Sequence, residues 1–213
     1  MITIIKERYE TCWGNPHFLF STVVGILVFT ASIFLNYYAG MYATEKASNS
    51  VTDIILSNTL VFDVDGLFVY GSVALVAFIV WLSILHPRRI PFVLYTLSLF
   101  ILTRSIFISL THIGPFPDEV PLDLGRIISK FIFGGDLFFS GHTGIPFLMA
   151  LVFWKELYLR YFFIAASIFF GTVALLGHYH YSIDVFAAFF ITYTIYHIAE
   201  KFFVKERELF YQE

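Results

Sequence analysis

Charged residues and cysteines are scarce in this chain of 213 residues. Only 14% of the residues are charged, whereas a soluble domain usually carries about 25%. The single cysteine, Cys12, has no second cysteine in the chain with which to form a disulfide. A formal net charge of -3 argues against a nucleic-acid partner. These deficits favour an integral membrane protein.

Long apolar segments fill most of the chain, of which 58% is hydrophobic. Each is long enough to cross ~30 Å of hydrocarbon. We expect an all-α fold, a six-transmembrane-helix bundle forming one membrane domain over residues 1–213. The most polar stretch, residues 44–65, is expected to be an extramembrane loop, in which residues 51–64 are compatible with a short interfacial helix. The predicted helices cover residues 16–40, 66–86, 90–110, 137–154, 157–176 and 181–203.

Lysine and arginine are distributed unequally between the two ends of these helices. Short loops retain such residues on the cytoplasmic side, and six helices would place both termini there. That face carries nine: Lys6, Arg8, Arg88, Arg89, Lys155, Arg160, Lys201, Lys205 and Arg207. The opposite face carries three, which are Lys46, Arg126 and Lys130. We therefore expect cytoplasmic termini in a multi-pass protein.

Four polar residues are expected to meet at the non-cytoplasmic face. His142 opens the fourth predicted helix, and His180 and Asp184 open the sixth. Arg104 is inside the third helix, ~9 Å below its outer end at ~1.5 Å per residue. Ionisable residues in membrane segments are functional candidates by default. The sequence therefore predicts one site on the exoplasmic, luminal or periplasmic side.

The spacing of these residues suits phosphoryl transfer. His180 and Asp184 are four residues apart, which on a helix puts them in contact. A carboxylate beside an imidazole fixes its tautomer and stabilises its charged form. The free ring nitrogen of His180 could then attack phosphorus and form a phosphohistidine. His142 would protonate the departing alkoxide and later activate the incoming alcohol or water.

The start of the fourth helix is a candidate phosphate site. Ser140 is a favourable N-cap, and Gly141 leaves the first turn bare, so that its amides can approach an anion. The hydroxyls of Ser140 and Thr143 could add donors, and the glycine pair at 134–135 would let the chain turn closely over the site. Arg104 could form a bidentate pair with phosphate oxygens.

Plainer roles compete for several of these residues. Arg104 could form a structural bridge to Asp118, Glu119 or Asp136. Asp136 could equally cap a turn or orient the histidine of the fourth helix. His178 is two residues from the proposed nucleophile, so on a helix it would face away, and an interfacial role is favoured for it.

Two other classes of function stay open. The two histidines and the aspartate could form a facial triad for iron or bind zinc, although a nearby arginine would repel a cation. The chain could also be a non-catalytic membrane scaffold. The favoured interpretation requires no cofactor and no metal.

Two motifs resemble those of a known family. Residues 135–143, Gly-Asp-Leu-Phe-Phe-Ser-Gly-His-Thr, resemble the second signature of the sphingomyelin synthase branch of the type 2 phosphatidic acid phosphatase (PAP2) superfamily, Cys-Gly-Asp, three residues, Ser-Gly-His-Thr. Residues 178–185, His-Tyr-His-Tyr-Ser-Ile-Asp-Val, resemble its third signature, His-Asp-His-Tyr-Thr-Val-Asp-Val. The resemblance covers roughly residues 90–203, and the first 65 residues add only a compatible helix and loop.

This resemblance implies a six-helix bundle with an outward-facing site. It puts the nucleophile on His180, its carboxylate partner on Asp184 and the second histidine on His142. Gly134 replaces the cysteine of the second signature, and Tyr179 replaces the aspartate of the third.

The ordinary phosphatases of the superfamily carry further motifs that this chain lacks. They have Lys, six residues, Arg-Pro, and a Ser-Arg pair where this chain has Val173-Ala174. The resemblance therefore favours a sphingomyelin synthase-like lipid phosphotransferase or phosphohydrolase, with a PAP2-type lipid phosphate phosphatase as the alternative. The substrate would be a phospholipid or lipid phosphate, and the acceptor a lipid alcohol or water. The sequence does not decide between transfer and hydrolysis.

Overall fold

A computed structural model describes residues 2–117 and 136–211, and over these ranges the chain is helical and contains no strand. Single turns of 3-10 helix occur at Leu56–Asn58 and Pro87–Arg89. The prediction of an all-α fold is confirmed. The α-helices of the described residues are α1 (Ile2–Trp13), α2 (Pro16–Lys46), α3 (Asp65–Leu85), α4 (Ile90–Leu110), α5 (Gly141–Val152), α6 (Leu157–Leu176), α7 (Ser182–Phe202) and α8 (Val204–Tyr211).

Five of these helices, α2, α3, α4, α6 and α7, are long and apolar enough to cross a membrane. The sixth predicted span is represented by α5, an apolar helix of 12 residues. At ~1.5 Å per residue such a helix is ~18 Å long, which is shorter than the hydrocarbon layer. The helices support a multi-pass integral membrane protein.

Several predicted boundaries are wrong. The fourth predicted helix, residues 137–154, is shortened at both ends, because Ser140 is the N-cap of α5 and Phe153 its C-cap. The first predicted helix continues past residue 40 to Lys46. Within residues 51–64 the only helix is the 3-10 turn at Leu56–Asn58.

Close helix packing surrounds the short helix α5, which lies against α4, α6 and α7. A Cβ added to Gly144 would lie 2.6 Å from the ring of Phe100 on α4 and 3.0 Å from Thr192 Oγ1 on α7. Small residues permit this approach of helix backbones, as in other membrane bundles. Large apolar side chains on the outer faces, such as Phe20 and Phe190, are exposed and suited to lipid contact.

Hydrogen bonds between loops close the end of the bundle at which α5 and α7 begin. Ser48 N in the α2–α3 loop donates to His112 O after α4 at 2.7 Å. Phe62 N in the same loop donates to Leu176 O at the end of α6, at 2.9 Å. The α2–α3 loop is therefore fixed to the segments that precede α5 and α7.

The opposite end of the bundle is fixed by ion pairs and hydrogen bonds. Arg89 Nη2 lies 3.0 Å from Glu156 Oε1, and Ser21 Oγ donates to Glu206 Oε1 at 2.6 Å. Arg126 and Lys130, which entered the count for the outer face, lie outside the described residues.

Candidate active site

The structure brings the two candidate histidines together. His142 is in the first turn of α5, and His180 lies in the turn that precedes α7. Their ring centroids are 6.4 Å apart. Two imidazoles at this separation are close enough to contact the same phosphate group, since catalytic groups act at ~2.6–3.2 Å from the atoms that they protonate.

Asp184 is fully buried beside His180, but not for the reason predicted from their spacing. His180 precedes the first residue of α7, so the two do not share a helical face. Instead, Asp184 Oδ2 accepts a hydrogen bond from Tyr181 N at 2.9 Å, as in a capping box. The same oxygen lies 3.6 Å from His180 Nδ1. The capping interaction therefore aims the carboxylate at the imidazole.

The distance between His180 and Asp184 is that of an ion pair and exceeds a hydrogen bond. Within residues 2–117 and 136–211, neither His180 Nδ1 nor Asp184 Oδ1 has a hydrogen-bond partner. Catalytic hydrogen bonds are often long without substrate and shorten in the reacting complex. Since Nδ1 of His180 faces the Asp184 carboxylate, the other ring nitrogen, Nε2, is directed away from it.

Arg104 is buried and bound to the segment that leads into α5. Its Nε donates to Phe139 O at 2.9 Å, and its Nη2 donates to Asp136 O at 2.6 Å. Its Nη1 lies 3.2 Å from Asp136 Oδ2. Of the alternatives for Arg104, the structure shows the bridge to Asp136, while Asp118 and Glu119 lie outside the described residues. A guanidinium has five N–H donors, so these contacts leave two for a phosphate.

Ser140 is the N-cap of α5, as predicted. Its Oγ accepts from Thr143 N at 3.4 Å and from Thr143 Oγ1 at 3.3 Å, and both side chains are fully buried. The hydroxyls that were expected to bind phosphate therefore bond each other in this structure. The amides of Gly141 and His142 are first-turn donors for which a helix supplies no acceptor. The glycine pair at 134–135 lies outside the described residues.

An aromatic stack holds the other face of the site. The ring centroid of Phe68 on α3 lies 3.8 Å from that of His142 and 4.5 Å from that of Tyr179. The hydroxyl of Tyr179 donates to Asp65 Oδ1. The Phe68 ring thereby positions the imidazole of His142. An aromatic residue within an apolar helix gave no sequence signal for this contact.

His178 is not turned away by a helix as predicted. It lies in the turn between α6 and α7 with a φ of 57°, and its side chain is buried. Its ring contacts that of Phe116 edge-on, with centroids 5.2 Å apart.

Asp53, in the α2–α3 loop, is a site component that sequence reasoning missed. Its Oδ2 accepts from Ser182 N at 2.7 Å, at the first residue of α7. Its Oδ1 accepts from Ile55 N at 2.8 Å and Leu56 N at 3.1 Å. Burial acts to raise the pKa of this carboxyl, but the hydrogen bonds from Ser182, Leu56 and Ile55 outweigh it and lower the pKa below its usual value. Asp53 thus fixes the start of α7, next to the His180 turn.

We expect Asp53→Asn to lower the free energy of unfolding by ~1 kcal/mol, as for the loss of a helix cap. We also expect it to lower kcat about tenfold. The NH₂ group of the asparagine would face either the N–H of Ser182 or the N–H groups of Ile55 and Leu56, which would then lose their acceptor. The matched control is Asp63→Asn in the same loop, where the carboxylate accepts from Asp65 N at 3.4 Å and from no other donor in residues 2–117 and 136–211. Thermal unfolding in detergent and kcat would be measured for both. Indistinguishable behaviour of the two variants would show that the cap has no such role.

A cavity of about 320 Å³ opens at the site. Its polar wall is formed by Arg104, Asp136, Gly141 and His142. Most of its other walls are apolar, and they come from α2, α3, α4, α5 and α6. The remaining lining residues are Ile33, Asn36, Ser72, Leu75, Val76, Phe100, Ile101, Ile145, Pro146 and Phe170.

The arrangement of donor groups does not favour the metal alternative. A facial triad would require the two histidines and Asp184 to face one point. Within residues 2–117 and 136–211, no group of three or more His, Cys, Asp or Glu side chains is placed to hold a metal ion.

Comparison with known proteins agrees with the fold. Residues 134–201 match the family model described as PAP2 superfamily C-terminal. No curated protein and no solved structure matches the chain. The matched region contains His142, His180 and Asp184, whereas Arg104 and Asp53 lie outside it. The match makes this part of the chain similar to the C-terminal region of PAP2 superfamily proteins.

Proposed function

We propose that this protein is a membrane lipid phosphotransferase or phosphohydrolase that acts through a phosphohistidine on His180. The observation that carries the proposal is the pair of imidazoles, 6.4 Å apart between centroids, of which that of His142 lies in the polar wall of an otherwise apolar cavity. A lipid whose phosphate group lies between the rings would have its hydrocarbon chains among the apolar side chains of the cavity.

The first step forms one bond and breaks one. His180 Nε2 attacks phosphorus, and the bond from phosphorus to the leaving oxygen breaks. Protonated His142 donates its proton to that oxygen, so the lipid or head-group portion leaves as an alcohol. The carboxylate of Asp184, 3.6 Å from His180 Nδ1, offsets the positive charge that develops on the imidazole.

The second step reverses these roles. Neutral His142 removes a proton from a lipid alcohol or from water, and the resulting oxygen attacks phosphorus. The phosphorus–nitrogen bond breaks and frees His180. Because His142 ends the cycle protonated, the enzyme regains its starting state without a metal or cofactor.

The negative charge on phosphate would be stabilised by two sets of donors. The first is the pair of N–H groups of Arg104 that its contacts to residues 136–139 leave over. The second is the amino end of α5 at Gly141 and His142, where free amides and the helix dipole favour an anion. Ser140 and Thr143 shape this turn through their mutual hydrogen bonds.

The charge asymmetry supports cytoplasmic termini and a site on the exoplasmic, luminal or periplasmic side. Within the superfamily, the motifs around His142 and His180 favour the sphingomyelin synthase-like branch over the ordinary phosphatases. We retain the prediction of one membrane domain over residues 1–213, with residues 90–203 as its catalytic core.

The test is a reconstitution assay. Purified protein in vesicles would be incubated with a panel of phospholipids and lipid phosphates, with and without a diacyl or sphingoid alcohol as acceptor. We expect turnover that is lost in His180→Ala. A new phospholipid would identify a transferase, and released phosphate alone would identify the phosphatase alternative. Unchanged turnover in His180→Ala, or no reaction with any of these lipids, would contradict the proposal.

A further inference from the structure

Asn36 places a polar amide in a membrane-spanning helix, α2, where polar groups are costly. It is half-buried and lines the same cavity as Arg104 and His142. Its neighbours along α2, Phe34 and Leu35, are exposed and apolar. A polar group in such a helix requires a partner, and the cavity is where that partner would lie.

The partner found within the protein leaves the amide hydrogens free. Ser105 Oγ lies 3.4 Å from Asn36 Oδ1, but its hydrogen is donated to Ile101 O at 2.8 Å, so this contact satisfies at most one polar group of the amide. Within the described part of the chain, Asn36 Nδ2 has no hydrogen-bond acceptor. Ser72, the other uncharged polar side chain among the cavity residues, already donates to Phe68 O within its own helix.

The contact of Asn36 with α4 indicates how far it lies from the phosphate site. Ser105, which contacts it, directly follows Arg104, whose side chain extends from α4 to reach Asp136 and Phe139. The phosphate site at the Arg104 guanidinium is therefore separated from the Asn36 amide by about the length of one arginine side chain. In a phospholipid, the groups at this distance from phosphate are the ester, amide or hydroxyl groups that join the chains to the backbone.

The cavity is open to the bilayer beside Asn36. Ile33 on α2 and Val76 on α3 both line it, and they are 48% and 53% exposed on the lipid-facing surface. At about 320 Å³ it lies near the lower limit of ligand pockets. It therefore suits the phosphate and the backbone of a lipid, with the chains continuing between α2 and α3 into the membrane.

We propose that Asn36 donates a hydrogen bond to the backbone linkage of the substrate. This inference rests on the proposed function and narrows its substrate class. The substrate would be a glycero- or sphingo-type phospholipid with a carbonyl or hydroxyl oxygen a few bonds from phosphorus. A polyprenyl or plain alkyl phosphate, which is hydrocarbon beyond the ester oxygen, gives this amide nothing to bind.

The experiment compares wild type with Asn36→Leu, which keeps the branched side chain of four heavy atoms and removes the amide. The two substrates are a diacylglycerol phosphate and an alkyl phosphate of equal chain length, in the same vesicles. We expect kcat/KM for the diacyl substrate to fall about three- to tenfold, the worth of one hydrogen bond. We expect less than a twofold change with the alkyl phosphate, whose turnover also shows that the variant is folded.

The matched control is Thr30→Val, an exposed polar residue on the same helix that does not line the cavity; it should leave both substrates unaffected. Equal losses on both substrates in Asn36→Leu would assign Asn36 a structural role and overturn the proposal. Unchanged kinetics on both would overturn it as well, while leaving the proposed function intact. Failure of the wild type on both substrates would instead reject the proposed function, and this inference with it.

Discussion

His180→Ala is expected to reduce turnover by about 10³-fold or more, since the loss of a catalytic nucleophile has effects of this size or larger. The structure gives the reason: no other histidine among the described residues has both an adjacent buried carboxylate, at 3.6 Å, and a second imidazole, with its centroid at 6.4 Å. The initial rate of phosphate release or transfer in vesicles is the measurement.

The control for His180→Ala is His112→Ala, at the same end of the bundle. The His112 ring contacts Tyr42 edge-on, with centroids 5.4 Å apart, and its backbone oxygen, which accepts from Ser48, is unaffected by the change. We expect His112→Ala to retain most of the wild-type rate. Comparable losses in the two variants would indicate a general loss of structure and remove His180 from its assigned role.

His142→Ala is expected to lower the rate by ~10²–10⁴-fold on a lipid alkyl phosphoester, the range for loss of a general acid. The loss should be much smaller for a nitrophenyl phosphoester, because nitrophenolate leaves without being protonated. Measuring kcat for both substrates separates the departure of the leaving group from phosphate binding.

His180→Ala supplies the comparison for this second prediction. The nucleophile is required whatever group leaves, so His180→Ala should lower kcat equally for both substrates. His142→Ala should lower kcat much more for the alkyl phosphoester than for the nitrophenyl phosphoester. An equal loss on both substrates in His142→Ala would mean that His142 binds or orients phosphate and donates no proton to the leaving group.

The apolar spans and the histidine pair were predictable from sequence because each depends on local pattern. Runs of apolar residues of spanning length predict helices wherever they occur, and Ser140 before an apolar run indicates a helix start. The early C-terminal end of α5 was not predictable, because the aromatic residues 153–154 continue the apolar run of the helix. Only the capping geometry at Ser140 and Phe153 sets the observed ends.

The contacts that complete the site join residues distant in sequence, and no local pattern encodes them. Asp53 meets Ser182 across 129 positions, and Asn36 meets Ser105 across 69. Phe68 and Tyr179 likewise come together only when α3 packs beside the turn before α7. The first 65 residues, which seemed to add only a helix and a loop, therefore supply both a cap for α7 and a wall of the cavity.

The account depends most directly on a phosphoryl group becoming attached to His180. Rapid acid-free quenching of the reconstituted protein during turnover, followed by peptide mass spectrometry, would locate the bound phosphate. We predict a peptide phosphorylated at His180, enriched when acceptor is limiting and absent from His180→Ala. Steady turnover with no phosphorylated histidine, or with phosphate on a different residue, would contradict the account.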